Sequence, residues 1–185
     1  MSPRRAVVLL LAAAAPLALA PRVARSQAGE GVQFADGTAH AGIAFRHNSG
    51  AFGKKYLPET MSSGLVLFDF DDDGWLDVFF ANGTTWPGRP GGPTFSALYR
   101  NDRDGTFTDV TKAAGLAVPM FAIGTAAADY DNDGWKDLYV TAIGGNRLFR
   151  NLGNGTFADV TAKAGTRGPG TFGTSAMFFD YDRDG

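Results

Sequence analysis

Short apolar runs separated by Gly, Asn and Asp turns set the rhythm of this chain. Leu65-Val66-Leu67-Phe68, Val78-Phe79-Phe80-Ala81 and Leu138-Tyr139-Val140 are β-branched or aromatic and end at turn residues, which predicts strands. Leu98-Tyr99-Arg100-Asn101 and Thr106-Phe107-Thr108-Asp109-Val110-Thr111 predict two more, joined by the turn Asp104-Gly105. Leu148-Phe149-Arg150-Asn151 and Thr156-Phe157-Ala158-Asp159-Val160-Thr161 predict another such pair across Asn154-Gly155. No sustained 3.6-residue periodicity runs through the chain, which argues against a helical solenoid. Four short strands in about 50 residues is the size of one β-propeller blade. The predicted fold is therefore all-β, built of blades of four antiparallel strands.

The runs repeat in order. Asp69-Phe70-Asp71-Asp72-Asp73-Gly74-Trp75-Leu76-Asp77 returns as Asp129-Tyr130-Asp131-Asn132-Asp133-Gly134-Trp135-Lys136-Asp137, and Asp180-Tyr181-Asp182-Arg183-Asp184-Gly185 opens it a third time. Between these loops the Arg-Asn…Gly-Thr-Phe-x-Asp-Val-Thr element recurs. A fainter copy of its end lies at Phe34-Ala35-Asp36-Gly37-Thr38, with Ala41-Gly42 matching Ala114-Gly115 and Ala164-Gly165. The Asp loops recur after 60 and then 51 residues, whereas the second element recurs after 50. The surplus falls in residues 84–96, where Pro87, Pro90 and Pro93 among glycines predict an inserted loop. About two and a half units are present, fewer than the four to eight blades of a closed propeller, so the expectation is an N-terminal fragment.

Candidate chemistry lies in the Asp loops. Carboxylates at alternate positions of a tight loop can converge on one hard cation, and Gly at the sixth position permits the backbone reversal. This pattern assigns Asp69, Asp71, Asp73 and Asp77, with the Trp75 carbonyl, to one Ca2+ site. It assigns Asp129, Asp131, Asp133 and Asp137, with the Trp135 carbonyl, to a second, and Asp180, Asp182 and Asp184 to the start of a third. Phe70 and Tyr130 are free to point away. Solvated Asp-Gly turns are the bland reading, and repetition of the whole pattern weighs against it. An EF-hand would need a Glu at the twelfth position and flanking helices, where this chain has Phe80 and Val140 inside strands. The number of protein oxygens favours calcium over magnesium, and no cysteine is present to bind a soft metal. Crowded carboxylates repel, so each loop is expected to order with its ion.

The N-terminus changes what belongs to the mature chain. Arg4 and Arg5 precede an apolar stretch over residues 6–20, and small residues follow at Ala24, Ser26 and Ala28, the order of a signal peptide. Residues 1–28 are expected to be a leader cut after Ser26 or Ala28, with a retained transmembrane helix as the weaker reading of a stretch broken by Pro16. Both general and twin-arginine export are open. Loss of Arg4, Arg5, Arg22 and Arg25 shifts the formal charge from −2 to about −6, which disfavours nucleic acid as a partner. Without cysteine, an oxidising compartment offers no disulfide staple. The expected location is periplasmic, cell-surface or extracellular, and no membrane span is expected in the mature chain.

At the paired Asp loops, the Arg-Asn…Gly-Thr-Phe-x-Asp-Val-Thr connectors and the segment from Phe45-Arg46-His47 through Lys55-Tyr56-Leu57-Pro58-Glu59-Thr60-Met61, the sequence resembles the FG-GAP or VCBS repeat family of integrin-α-like calcium-binding propellers. It looks especially like exported bacterial proteins related to cartilage acidic protein. The resemblance implies a propeller over residues 29–185, usually of seven blades, and in this subgroup often a following ASPIC/UnbV domain.

The function expected from this reading is a protein- or carbohydrate-binding adhesion module. A polysaccharide lyase or hydrolase using the propeller face is the alternative, and a purely structural module is a third reading. Fold alone does not choose among them, and no catalytic residue is assigned. His47, in the polar 45–61 segment, is a stronger functional candidate than His40, although a structured insertion capping the repeat explains the segment more simply. The matched positions of Trp75 and Trp135 point to repeat packing rather than sugar stacking. Arg100 and Arg150, beside Asn101 and Asn151, are expected to serve turn and inter-blade hydrogen bonding.

Overall fold

The computed structural model describes residues 34–61, 63–170 and 172–182. Two compact units divide the chain, and all the regular elements belong to the second, residues 36–185. The expected signal peptide, residues 1–28, and Asp184 of the third loop lie outside the described residues.

Two four-stranded antiparallel sheets follow one another along the chain. The first runs β1 (Leu65–Phe68), β2 (Asp77–Phe80), β3 (Ala97–Asn101) and β4 (Phe107–Asp109) in spatial order. The second runs β5 (Phe121–Ala128), β6 (Asp137–Ile143), β7 (Arg147–Asn151) and β8 (Phe157–Asp159). These sheets are the two predicted blades. Their registers correspond: Phe68 faces Asp77 as Ala128 faces Asp137, and Asn101 faces Phe107 as Asn151 faces Phe157. The predicted insertion falls in the β2–β3 connection, whereas β6 and β7 are joined by residues 144–146 alone.

The strands β2, β3 and β6 are buried along most of their length, whereas β1 alternates, with Leu65 and Leu67 more than half exposed. Phe79 and Leu98 turn into the core shared with the second sheet, where Leu138, Val140 and Phe149 meet them. On the other face of the first sheet, Phe45 stacks on Phe80 with ring centres 4.7 Å apart, and Phe80 meets Tyr99 edge-on. The second sheet presents Tyr139 to Phe178, in the segment where the next unit begins. Thr141 Oγ1 donates to Thr174 O at 3.0 Å in the same place.

Inner strands of neighbouring units approach backbone to backbone. Gly64 N donates to Ile123 O at 2.6 Å, and a Cβ on Gly64 would stand 3.3 Å from that same oxygen. A side chain there would press directly on the next blade. The faint first copy of the repeat also has a structural counterpart. Phe107 N donates to Ala41 O as Phe157 N donates to Ala114 O, both at 2.9 Å, so residues 36–42 sit against the first sheet as 110–115 sit against the second.

The only helices among the described residues are single turns, α1 (Leu57–Thr60) and α2 (Thr161–Ala164). None of the described helices is long and apolar enough to cross a membrane.

Candidate metal centre

The β1–β2 and β5–β6 connections carry the two complete Asp loops. Two left-handed residues close each one. Asp72 and Asn132 have φ of 56° and 57°, a conformation that Asp and Asn tolerate better than most side chains. Gly74 and Gly134, two residues later, reach 87° and 94°, where glycine carries no Cβ penalty.

The first and last carboxylates are fixed by backbone donors. Asp69 accepts from Asp73 N at 3.0 Å and Gly74 N at 2.7 Å, and Asp129 accepts from Asp133 N at 3.1 Å and Gly134 N at 2.8 Å. Asp77 and Asp137 are wholly buried. Asp77 Oδ2 takes Phe70 N at 3.0 Å and its Oδ1 takes Asn101 N at 2.8 Å. Asp137 does the same with Tyr130 N at 2.9 Å and Asn151 N at 2.8 Å. A carboxylate oxygen has two lone pairs, so these bonds orient the groups and leave capacity for a cation.

Asp69, Asp71 and Asp77 each bring a carboxylate oxygen within 4.8 Å of the others, and Asp129, Asp131 and Asp137 do likewise. Asp71 Oδ1 is buried with no hydrogen-bond partner. Burial, then Asp73 and Asp69, push the Asp71 carboxyl upward, and burial pushes Asp77 up to about 6. Asp137 is raised, again chiefly by burial. These are clusters of hard oxygen donors that a cation would relieve, and the donor set fits one.

Both family matches begin at the first Asp of a loop: the FG-GAP-like repeat family matches residues 69–140 and 129–185. The chain belongs to the FG-GAP-like repeat family. A search of curated proteins finds no match.

Within the FG-GAP-like repeats, the fifth-position carboxylates stand apart from the clusters. Asp73 is drawn to Arg103, whose Nε and Nη2 reach its Oδ2 at 2.9 and 2.6 Å, and this contact holds the Asp73 carboxyl below its usual range. Asp133 is contacted at 2.7 Å by Arg150, whose Nε also lies 2.6 Å from Asp131 Oδ2. The backbone N–H groups of Trp75 and Trp135 donate to Asp73 Oδ1 and Asp133 Oδ1, both at 2.9 Å. Of the third loop, Asp180 and Asp182 are described, and Asp180 follows Phe179 as Asp69 follows Phe68.

The arginines serve the turn and loop hydrogen bonding expected of them but not the inter-blade part. Arg150 pairs with its own sheet's loop, while Arg100 pairs with Asp102 at 3.1 Å. The inter-blade bond comes instead from Asn151, whose Nδ2 reaches Phe70 O at 2.7 Å. A planar amide can bridge two carbonyls inside the core, since the same Nδ2 also reaches Lys136 O at 3.2 Å. Phe70 points away from the cluster, as expected, into the core beside Phe157.

Arg103 was not visible as a loop partner in the sequence. Its signal was a break in the repeat, because the equivalent residue in the second unit is Gly153. That exchange separates the tryptophans. A Cβ on Gly153 would stand 2.6 Å from Trp135 Nε1, so the indole packs on the bare turn, while Trp75 is half-exposed.

The 45–61 segment is a structured cap on the first sheet. Glu59 Oε2 accepts from Phe52, Gly53 and Lys55 N–H groups at 3.2–3.4 Å, closing the loop on one carboxylate. His47 Nε2 lies 3.1 Å from Ser63 Oγ, which donates its own proton to Ala122 O at 2.8 Å. The imidazole nitrogen therefore faces Ser63 as a donor, opposite to the polarity that would activate a serine nucleophile.

Proposed function

We propose that this chain is a Ca2+-stabilised propeller segment of an exported protein that binds a protein or carbohydrate partner through loops. The observation that supports it most is the convergence of three carboxylates in each of two equivalent loops, with buried Asp71 Oδ1 lacking any partner. Calcium would be held by Asp69, Asp71 and Asp77 in the first loop and by Asp129, Asp131 and Asp137 in the second. Asp73 and Asp133, with the Trp75 and Trp135 carbonyls, would complete the shells as Arg103 and Arg150 give way. Asp180, Asp182 and Asp184 would begin a third site. The ion supplies charge neutralisation to a hairpin end; it holds shape and takes no part in a reaction.

Residues 1–28 belong in this reading to a cleaved leader and 29–185 to the repeat domain. Kinship with integrin-α-like propellers and with proteins carrying an ASPIC/UnbV domain is part of the same proposal. Titration calorimetry with calcium, with thermal melts in calcium and in chelator, tests it on the wild type and on Asp71→Ala and Asp131→Ala. Two binding events are expected, one lost with each substitution. A folded chain that takes up no calcium would end the metal reading.

A further inference from the structure

We infer that the cleft between residues 84–87, residues 119–121 and the β6–β7 turn binds the carboxylate groups of an acidic glycan, with Arg167 as the recognising side chain. This names a ligand class for the binding module proposed above and rests on that reading. The cleft has a volume of about 550 Å³ and is lined by Thr84, Pro87, Pro119, Gly145, Arg147 and Arg167 among others. Because the strands alternate in direction, it opens at the end of the sheets opposite the Asp loops.

Arg167 is placed but unpaired. Its backbone oxygen accepts from Asn146 N at 2.9 Å, and its stem lies across the β6–β7 turn, where a Cβ on Gly145 would come within 2.9 Å of Arg167 Nε. Gly145 has a φ of 132°, so the turn that makes room for the stem is itself closed to side chains. Among the described residues the guanidinium has neither ion pair nor hydrogen bond. The cleft's other arginine, Arg147, is already neutralised by Asp159. The net result is one positioned, unspent fork of donors in a chain whose overall charge is negative, and a carboxylate is the group that matches it bidentately.

The walls favour a sugar as the carrier of that carboxylate. Thr84 Oγ1 accepts from Thr94 N at 3.2 Å, which leaves its proton free to donate to a ring hydroxyl. Pro87 and Pro119 offer flat apolar surface for the C–H faces of a pyranose. A peptide would instead seek an open strand edge or a helix-shaped groove, and β6 and β7 are each paired on both sides.

Calorimetry of the calcium-loaded chain with trigalacturonate tests the inference, with the neutral trigalactose and a hexaglutamate peptide as comparators. Trigalacturonate binding that weakens as salt is raised is expected, together with a loss of about tenfold or more in Arg167→Ala. Arg167→Lys should fall between, and Lys163→Ala, an exposed cation outside the cleft, should match wild type. All variants should keep the wild-type melting temperature. Equal affinity in Arg167→Ala, equal binding of trigalactose, tighter binding of hexaglutamate or no uronate binding by a folded chain would each overturn it. The calcium reading fails separately: a chain that binds trigalacturonate through Arg167 without taking up calcium would leave the cleft standing and remove the metal.

Discussion

The two blades share a register and a loop but balance the loop's charge differently. In the first, Arg103 occupies a left-handed turn position at φ 66° and reaches back to Asp73. In the second, the same turn position is Gly153 at φ 69°, the Trp135 indole lies on it, and Arg150 comes in from β7 to meet Asp131 and Asp133. Both solutions put a guanidinium beside the fifth-position carboxylate, one from the β3–β4 turn and the other from strand β7. What the fold demands is a positive charge near that carboxylate, and the position of the residue supplying it is free to move. The buried Asp77 and Asp137 do not vary at all, because each holds two backbone donors at the base of its loop.

That invariance gives the largest expected effects. Asp77→Ala and Asp137→Ala each strand two backbone N–H groups at the foot of a hairpin, and each should cost about 2–4 kcal/mol by denaturant titration without calcium, and more with it because that loop's ion is lost as well. A smaller loss would mean that water replaces the carboxylate and that the loops are anchored elsewhere. Calcium removal comes next. At free calcium a hundredfold above the dissociation constant each site adds about 2.7 kcal/mol, so melts in chelator should fall well below those in calcium. Asp131→Ala should abolish only the second blade's share of that difference.

Most strands and the insertion were legible in the sequence as local apolar runs bounded by turn residues, but β5 was not, because its Ala- and Gly-rich stretch carries few of the β-branched or aromatic residues that mark a strand. Even the faint Ala41-Gly42 copy pointed to the backbone bond from Phe107. The carboxylates that converge were also legible, because loop spacing and a left-handed Gly fix their directions. Arg103 was not, since a turn residue's reach depends on which strand end lies across from it. The inter-blade role of Asn151 was not legible for a related reason: its bond to Phe70 O spans 81 residues, and only the packing of one blade on the next brings them together. The Arg167 cleft draws on residues from four separate segments of the chain, and no local pattern marks it.

Asn101 and Asn151 sharpen the comparison further. Both anchor their own loop, through Leu76 O at 3.1 Å and Lys136 O at 3.2 Å, but Asn151 alone is wholly buried and also ties the blades together. Asn151→Ala should therefore cost about 2 kcal/mol in chemical denaturation and Asn101→Ala about 1 kcal/mol. Equal losses would show that the bond to Phe70 O adds nothing beyond loop anchoring.

Exchanging the turn residues should give the smallest change in energy and the most direct test of why the blades differ. Arg103→Gly removes a side chain from a left-handed position, worth about 1 kcal/mol of relieved strain, and releases Asp73 from its ion pair. The two effects oppose each other, so stability without calcium should move by less than about 1 kcal/mol. Calcium affinity at the first loop should rise about fivefold at low salt, because a competing cation has gone and Asp73 can turn inward. The reverse change, Gly153→Arg, adds that strain and drives the Trp135 indole off the turn, which a red shift in tryptophan emission would report. Its calcium affinity should fall by a similar factor. If Arg103→Gly leaves the first loop's affinity unchanged, Asp73 stays with other partners in the loaded state, and the guanidinium at position 103 serves only to close the turn.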